Sequence, residues 1–581
     1  MHIRHVSIQN FRGIRELEWV VPSKIACLIG PGDSTKTTVL DAIDYALSSR
    51  WNITFIDSDF YDCDPSNDIR IRVTVGGLST ELLRDEKVSL ALHGWSADIG
   101  VIDEPEDGLE EVITVQLSID RTLEPQWTIY KDDNSDIRLS TRTRELFGIL
   151  RIGTVTGRDF SWIKGTGLSK LTEDASGLLG ELAEATRQID RVITSDALAK
   201  ASKKAENALK DVGARPKFGF QPKLDYGATA LGRGAITLHD GEIPLTSAGY
   251  GTKRLFALGI SLSQVELGGI ALVDELETAL EPYRIRHLLK HLKDLTVRAI
   301  EGTMQVGQVI LTSVSGTVLV SLDADDLFCT RSEAGITTIK RVPADLQDVV
   351  RSVPEAFLST KVLVCEGKTE YGIVKALDHH LQVDGEPSLA YHGVSYVEGG
   401  GDNAPFRAKQ LASLHYEVAI FMDSDKETSP SADELTQCGV TVFAWSGNVN
   451  TETRVASDFS SELLDKLIKL RVEWGAQRND VTRKLCEMMT EEYLPAQDWD
   501  TFFSTHEIKL RPAIAQLSNS EGWFKRVDKG EALGALIMES VNSSPATGLA
   551  KTIANLKEWL CQTDLQENQS VQPQVAERPS T

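Results

Sequence analysis

The sequence has no CxxC pair, and its seven cysteines are scattered from Cys27 to Cys561. That spacing excludes a zinc knuckle and a disulfide framework, and it fits a reducing compartment such as the cytoplasm. No apolar run approaches the ~20 residues that cross a bilayer, so no membrane-spanning segment is expected. The opening MHIRHVSIQNFRG carries charge where a secretory leader needs an apolar stretch. Basic charge is also in short supply, with a formal net charge of −24. This excludes coating of nucleic acid by bulk electrostatics, because phosphate neutralisation by Lys and Arg supplies most non-specific affinity. A nucleic-acid site here must be local, or depend on cations held by carboxylates or on a basic partner. Internal repeats are absent.

What is present belongs to a folded, soluble chain: 581 residues, 41% hydrophobic and 25% charged, too long for a single core. The pattern alternates strand-like and helical segments, which predicts an α/β fold. A first unit is expected over 1–350, with an alanine-rich helical insertion at about 172–212 as a candidate dimer contact. A boundary falls near Arg351 to Thr360, a second α/β unit covers 358–561, and the Gln-, Pro- and Ser-rich end, 562–581, reads as disordered.

Between the buried strand Ile25–Ile29 and the helical stretch TTVLDAIDYALSS lies a loop of phosphate-binding type: Gly30, Pro31, Gly32, Asp33, Ser34, Thr35, Lys36, Thr37, Thr38. Free N–H groups and the helix dipole face an anion at such a place. Lys36 would reach the β- and γ-phosphates of ATP and Thr37 would ligate Mg²⁺. Thr35 stands where the usual pattern has its second glycine. Far downstream, the apolar strand Ile270–Val273 ends in Asp274 and Glu275; Asp274 would hold Mg²⁺ through water and Glu275 would activate the hydrolytic water.

A second set of acids follows the strand KVLVC. Glu366 and Glu370 stand one helical turn apart, so both carboxylates can face one point. The strand VAIFM then ends in Asp423 and Asp425. In a parallel sheet the C-terminal strand ends converge on one edge, and clustered carboxylate oxygens suit Mg²⁺ or Mn²⁺ rather than zinc. Glu452, in NTETRVASD, is a candidate further ligand. The late tryptophans Trp445, Trp474, Trp499 and Trp523 are spread out and are assigned to core packing, not to a base-stacking platform.

These motifs carry a resemblance. IQNFRGI is similar to the opening of RecF and SMC proteins, and Leu245 to Arg254 looks like the ABC signature, whose Ser247 and Gly249 would contact the γ-phosphate of an opposite subunit. The EGKTE and DSD segments resemble the Toprim domain of topoisomerases, DnaG primases, RecR and OLD-family nucleases. An ABC-type head followed by Toprim is the arrangement of the OLD (overcoming lysogenization defect) family, which includes the Gabija nuclease and retron-associated effectors. The resemblance implies a metal-dependent DNA endonuclease regulated by ATP, working in antiphage defence. It also implies a homodimer or homotetramer, with a defence partner such as a helicase or a retron reverse transcriptase with its nucleic acid. It further implies a late lysine that neutralises transition-state charge; Lys529 lies at the fitting distance, with Lys525 as competitor. One departure stands out: Val314 occupies the position where ABC ATPases carry a switch histidine, which with Thr35 implies slow hydrolysis or ATP used as a clamp. Two other readings remain open: a RecF- or SMC-like repair ATPase that binds DNA without cutting, and a partner-controlled nucleotide sensor.

Overall fold

Unbroken apolar runs form the centre of the largest sheet, since a strand covered on both faces has no polar side to show. The structure is a computed structural model describing residues 1–50, 53–102, 105–131, 136–153, 168, 196–211, 220–224, 236–241, 243–263, 268–297, 299–300, 303–304, 306–491 and 499–562. The chain divides into two units, Met1–Leu358 and Ser359–Thr581.

In the first unit, β1 (His2–Phe11) turns at Arg12 and Gly13 into β2 (Ile14–Val20), its antiparallel neighbour. Then come β3 (Ile25–Ile29), α1 (Lys36–Leu47), β4 (Ile69–Gly76), β5 (Glu110–Ile119) and β6 (Ile149–Ile152). After α2 (Tyr250–Leu262) follow β7 (Gly269–Val273), α3 (Pro282–Val297), β8 (Val306–Thr312), β9 (Leu327–Glu333) and β10 (Ile336–Arg341). The strands β6, β7, β8, β3 and β9 lie side by side in that order, all parallel. Every residue of β3, β7 and β8 is buried. Because β7, β8 and β3 are adjacent and parallel, the loops after them share one edge. On the far side of β10 the sheet continues as the antiparallel run β2, β1, β4, β5. Of the helical insertion expected at 172–212, Asp196–Asp211 is a helix, and 172–195 and 212 lie outside the described residues, as do 563–581 of the terminal segment. The region read as a boundary is folded, with helical turns at Gln347–Ser352 and Pro354–Phe357.

The second unit opens with β11 (Lys361–Cys365), α4 (Lys368–Val383), β12 (Val394–Glu398), α5 (Ala404–Ser413), β13 (Glu417–Met422) and β14 (Val440–Ala444). Its four strands are all parallel, in the order β12, β11, β13, β14. The chain lays β12 on one side of β11 and then crosses to put β13 on the other. The reversal leaves a crevice beyond the ends of β11 and β13, the switch point where open α/β sheets bind ligands. Later come α6 (Thr451–Asp458), α7 (Trp499–Ser520), α8 (Val527–Ser543) and α9 (Gly548–Cys561). They share a core with the sheet that includes Leu363, Phe421, Trp445, Trp523, Leu533 and Leu556. Glycines let α8 lie almost backbone to backbone on α4: a Cβ on Gly372 would sit 2.5 Å from Glu531 N, and one on Gly530 would sit 2.9 Å from the carbonyl oxygens of Lys368 and Thr369.

Candidate active and nucleotide sites

The loop after β3 is held by backbone shape. A Cβ at Gly30 would meet Thr330 O at 2.5 Å, so only glycine fits there. Thr35, just before α1, is in the left-handed region at φ 63, a conformation that β-branched residues rarely adopt. Its hydroxyl donates to Ser34 O at 2.7 Å and lies 3.1 Å from Thr337 Oγ1. The Lys36 ammonium donates to Gly30 O (3.1 Å), Pro31 O (2.7 Å) and Ser34 Oγ (2.9 Å). Burial lowers its pKa, against the pull of Glu277, Asp33 and Asp274.

Asp274, at the end of β7, accepts from Thr37 Oγ1 (3.1 Å), Thr312 Oγ1 (2.6 Å) and Arg151 Nη2 (2.9 Å). Thr37 and Asp274 are therefore in direct contact, and the charge of Asp274 is felt at Lys36. Glu275 follows at φ 44; its N–H donates to Thr312 Oγ1 (2.8 Å) and its exposed carboxylate accepts from Thr278 Oγ1 (3.1 Å). Ser247 and Gly249 are exposed where α2 begins. From α2, Arg254 donates to the carbonyl oxygens of Gly153, Asp274 (2.5 Å) and Glu275 (3.2 Å). Sequence reasoning missed three residues here. Arg151 bridges Asp274 to Asp41 (2.8 Å), and Arg12 holds Asp41 from the other side (2.8 Å). Glu277 accepts from the Val314 N–H at 2.7 Å. An arginine inside an apolar strand, as in ILRI, is the signal that could have found Arg151.

In the second unit, Glu366 follows β11 and its Oε2 accepts the N–H of Asp423, which follows β13, at 2.8 Å. Adjacent parallel strands in register put the two acids side by side. Glu370, in the first turn of α4, accepts from Gly367 N at 3.0 Å and from Thr451 Oγ1 at 3.1 Å. Asp423 Oδ1 accepts from Thr451 N (2.9 Å) and Thr451 Oγ1 (2.8 Å). Burial raises the Glu370 pKa to about 8, helped by the charges of Asp423 and Glu366. Burial likewise raises Asp423 to about 7, with Glu366 and Glu452 adding repulsion against the Thr451 hydrogen bonds. Glu452 is buried and its pKa is raised by desolvation, opposed by the charge of Lys525.

A cleft of about 380 Å³ is lined by Glu366, Glu370, Asp423, Asp425 and Glu452, with Lys368, Lys426 and Lys525. For the cation the structure departs from the expectation. Lys525, in the turn before α8, lines the cleft, whereas Lys529, on the first turn of α8, stands over the Trp474 ring at 5.1 Å.

Among the described residues, no three His, Cys, Asp or Glu side chains are grouped so that they could hold a metal ion as they stand. The donor set nonetheless suits a hard divalent ion. Six carboxylates line one cleft, the sixth being Asp402, which sequence reasoning did not single out, and like charges desolvated together favour either protons or a cation among them.

Three family models match along the chain: an AAA ATPase domain over residues 1–147, an AAA domain described with the AbiEii toxin of type IV toxin–antitoxin systems over 180–320, and the TOPRIM domain of overcoming lysogenization defect-like proteins over 357–425. The chain has the OLD-family architecture. An ATPase followed by an OLD-type Toprim domain supports a nuclease-type function in general. No curated protein matches the chain in sequence. Among solved structures, the SMC head bound to the C-winged helix domain of ScpA is similar at 13% identity and TM-score 0.36, covering 58% of this chain and 97% of that one. The Pyrococcus furiosus Smc head with an extended coiled coil, bound to the C-terminal domain of ScpA, gives 10% identity and TM-score 0.38, covering 61% and 99%. The SMC head domain from Thermotoga maritima gives 14% and 0.30, covering 59% and 100%. Among the described residues, no helix is long and apolar enough to cross a membrane.

Proposed function

We propose that this OLD-type chain is an ATP-regulated, divalent-metal-dependent DNA endonuclease. The observation that carries the reading is the Glu366–Asp423 contact, with Glu370, Glu452 and Lys525, at the switch point of a parallel sheet. Glu366, Glu370, Asp423, Asp425 and Glu452 would hold Mg²⁺ or Mn²⁺. When bound, such ions polarise the attacking water and stabilise the leaving oxygen of the phosphodiester. The chain's own part is to hold the carboxylates desolvated and in register, and to offer the Lys525 ammonium to the charge that grows on phosphate. DNA is the substrate class, because a cleft with three lysines around an acid cluster suits a polyanion only once the acids are neutralised.

ATP would bind on the loop Gly30–Thr38, with Lys36 on its phosphates and Thr37 and Asp274 at its Mg²⁺, and Glu275 would be the hydrolytic base. Ser247 and Gly249 would complete the site from a second copy, making the protein a homodimer or homotetramer. The resemblance to phage-defence nucleases supports a defensive role in the cytoplasm, with a helicase or a reverse transcriptase as partner. The test is nicking of supercoiled plasmid by the purified chain with Mg²⁺ or Mn²⁺: wild type cuts and Glu366→Ala does not, whereas equal cutting by both would remove the proposal.

A second reading for the first unit has its own support. Val314 is apolar and 53% exposed at the switch position, and Arg151 already engages Asp274. Both favour a nucleotide sensor that binds ATP and turns it over slowly. Comparing ATP affinity with steady-state hydrolysis separates it from a working ATPase.

A further inference from the structure

Three elements meet at one hydroxyl. Thr451 is the first residue of α6 and is 1% exposed. Its Oγ1 accepts the Trp445 indole N–H at 2.7 Å. That contact occupies one lone pair and directs the hydroxyl hydrogen away from the indole, toward Asp423 Oδ1 at 2.8 Å or Glu370 Oε1 at 3.1 Å. A hydroxyl has one proton to give, so it serves one carboxylate at a time. Asp423 Oδ1 also accepts the Thr451 N–H at 2.9 Å, which leaves this carboxylate the better held of the two.

The segment around Thr451 is itself fixed. Asn450 caps α6 through Thr453 N at 2.9 Å. Ser424, between Asp423 and Asp425, is clipped to Val449 by its N–H and hydroxyl donating to Val449 O, both at 3.1 Å, and by Val449 N donating back to Ser424 Oγ at 2.9 Å. Trp445 is buried and packs edge-on against Phe421 with centroids 5.1 Å apart. The loop after β13, the loop after β14 and α4 are thus tied together at a single buried oxygen. Two carboxylates that repel each other would otherwise rotate apart.

We infer that Thr451, oriented by Trp445, is a positioning residue that holds the Asp423 and Glu370 carboxylates side by side for a shared divalent cation. This rests on the metal-dependent reading above and deepens it, since the sequence assigns Trp445 to core packing alone and gives Thr451 no role. Residues that orient metal ligands through hydrogen bonds commonly change metal affinity by about 10–100-fold when removed.

The experiment is Mn²⁺ titration calorimetry on the full chain, run beside thermal unfolding and plasmid nicking, for wild type, Thr451→Val, Thr451→Ser and Trp445→Phe. Thr451→Val keeps the shape and removes the proton, and is expected to bind Mn²⁺ at least about tenfold more weakly, with kcat lowered and KM for DNA unchanged. Thr451→Ser restores affinity to within about threefold, and Trp445→Phe falls between, because its hydroxyl is present but no longer oriented. Wild-type Mn²⁺ affinity in Thr451→Val, or equal losses in the Val and Ser variants with lowered melting temperatures, overturns the inference. Mn²⁺ binding by wild type without DNA cleavage overturns the nuclease reading alone; no Mn²⁺ binding by wild type overturns both.

Discussion

Single residues set the chemistry of both sites. Thr35 holds a left-handed backbone at φ 63, which costs a residue with a Cβ roughly 1–2 kcal/mol. Thr35→Gly removes that strain and returns part of the gain as unfolded-chain entropy, so the melting temperature should rise by about 2 °C. A fall in differential scanning calorimetry would mean that the Thr337 contact outweighs the strain. In the second unit, Glu370 and Asp423 have folded pKa values of about 8 and about 7 against ordinary values of 4.5 and 3.8. The folded state then binds more protons than the unfolded chain across that interval, so stability falls as pH rises from about 4 to about 8 in the metal-free protein. Mn²⁺ should therefore raise the melting temperature more at pH 8 than at pH 6, read against an EDTA control; equal gains would contradict the assigned burial. Lys525→Ala should lower cleavage by about 10²-fold or more while Lys529→Ala stays within a few-fold, given what one charge at a phosphate transition state is worth. The reverse order in a plasmid nicking assay would return the role to Lys529.

At the scale of elements, the α4–α8 contact decides where Glu370 points. A side chain at Gly530 meets the Lys368 and Thr369 carbonyl oxygens at 2.9 Å, and one at Gly534 meets Ile373 Cα at 2.9 Å. Gly530→Val must push the helices apart, at a cost of about 1–3 kcal/mol from overpacking. Cleavage should fall with it, because Glu370 rides on the first turn of α4. Chemical denaturation and plasmid nicking of the full chain check both effects, and a variant with lowered stability and full activity would show that α4 tolerates the shift. The strands were legible beforehand from their composition: IACLI, GIALV, KVLVC and EVAIFM are apolar apart from the leading Lys361 and Glu417, and the residues that carry chemistry follow directly after them. The glycine notch was not, because a glycine in GEALG reads as a weak helix position until the partner helix is seen against it.

For the whole molecule, net charge and fused architecture matter most. With −24 overall, DNA contact depends on local cations, so removal of divalent ions with EDTA should weaken DNA binding as well as abolish cleavage. ATP control belongs to this scale too. If nucleotide binding regulates cutting, ATP changes the wild-type nicking rate and leaves Lys36→Ala unmoved. Identical responses in the two would separate the ATPase from the nuclease function.

The sequence by itself determined the α/β class, the order of an ATPase before a Toprim domain, and most of the acids, since strand-ending Asp and Glu beside a phosphate-type loop are a local pattern. Only the tertiary structure decided which lysine enters the cleft, that Arg151 and Arg12 bracket Asp41, and that Thr451 and Trp445 stand behind the acid pair. These are relations between segments far apart in the chain. Hydrophobic periodicity fixes which face of an element is buried, but which side chain meets which across a packed interface is set by strand order, helix rotation and the close approach of backbones.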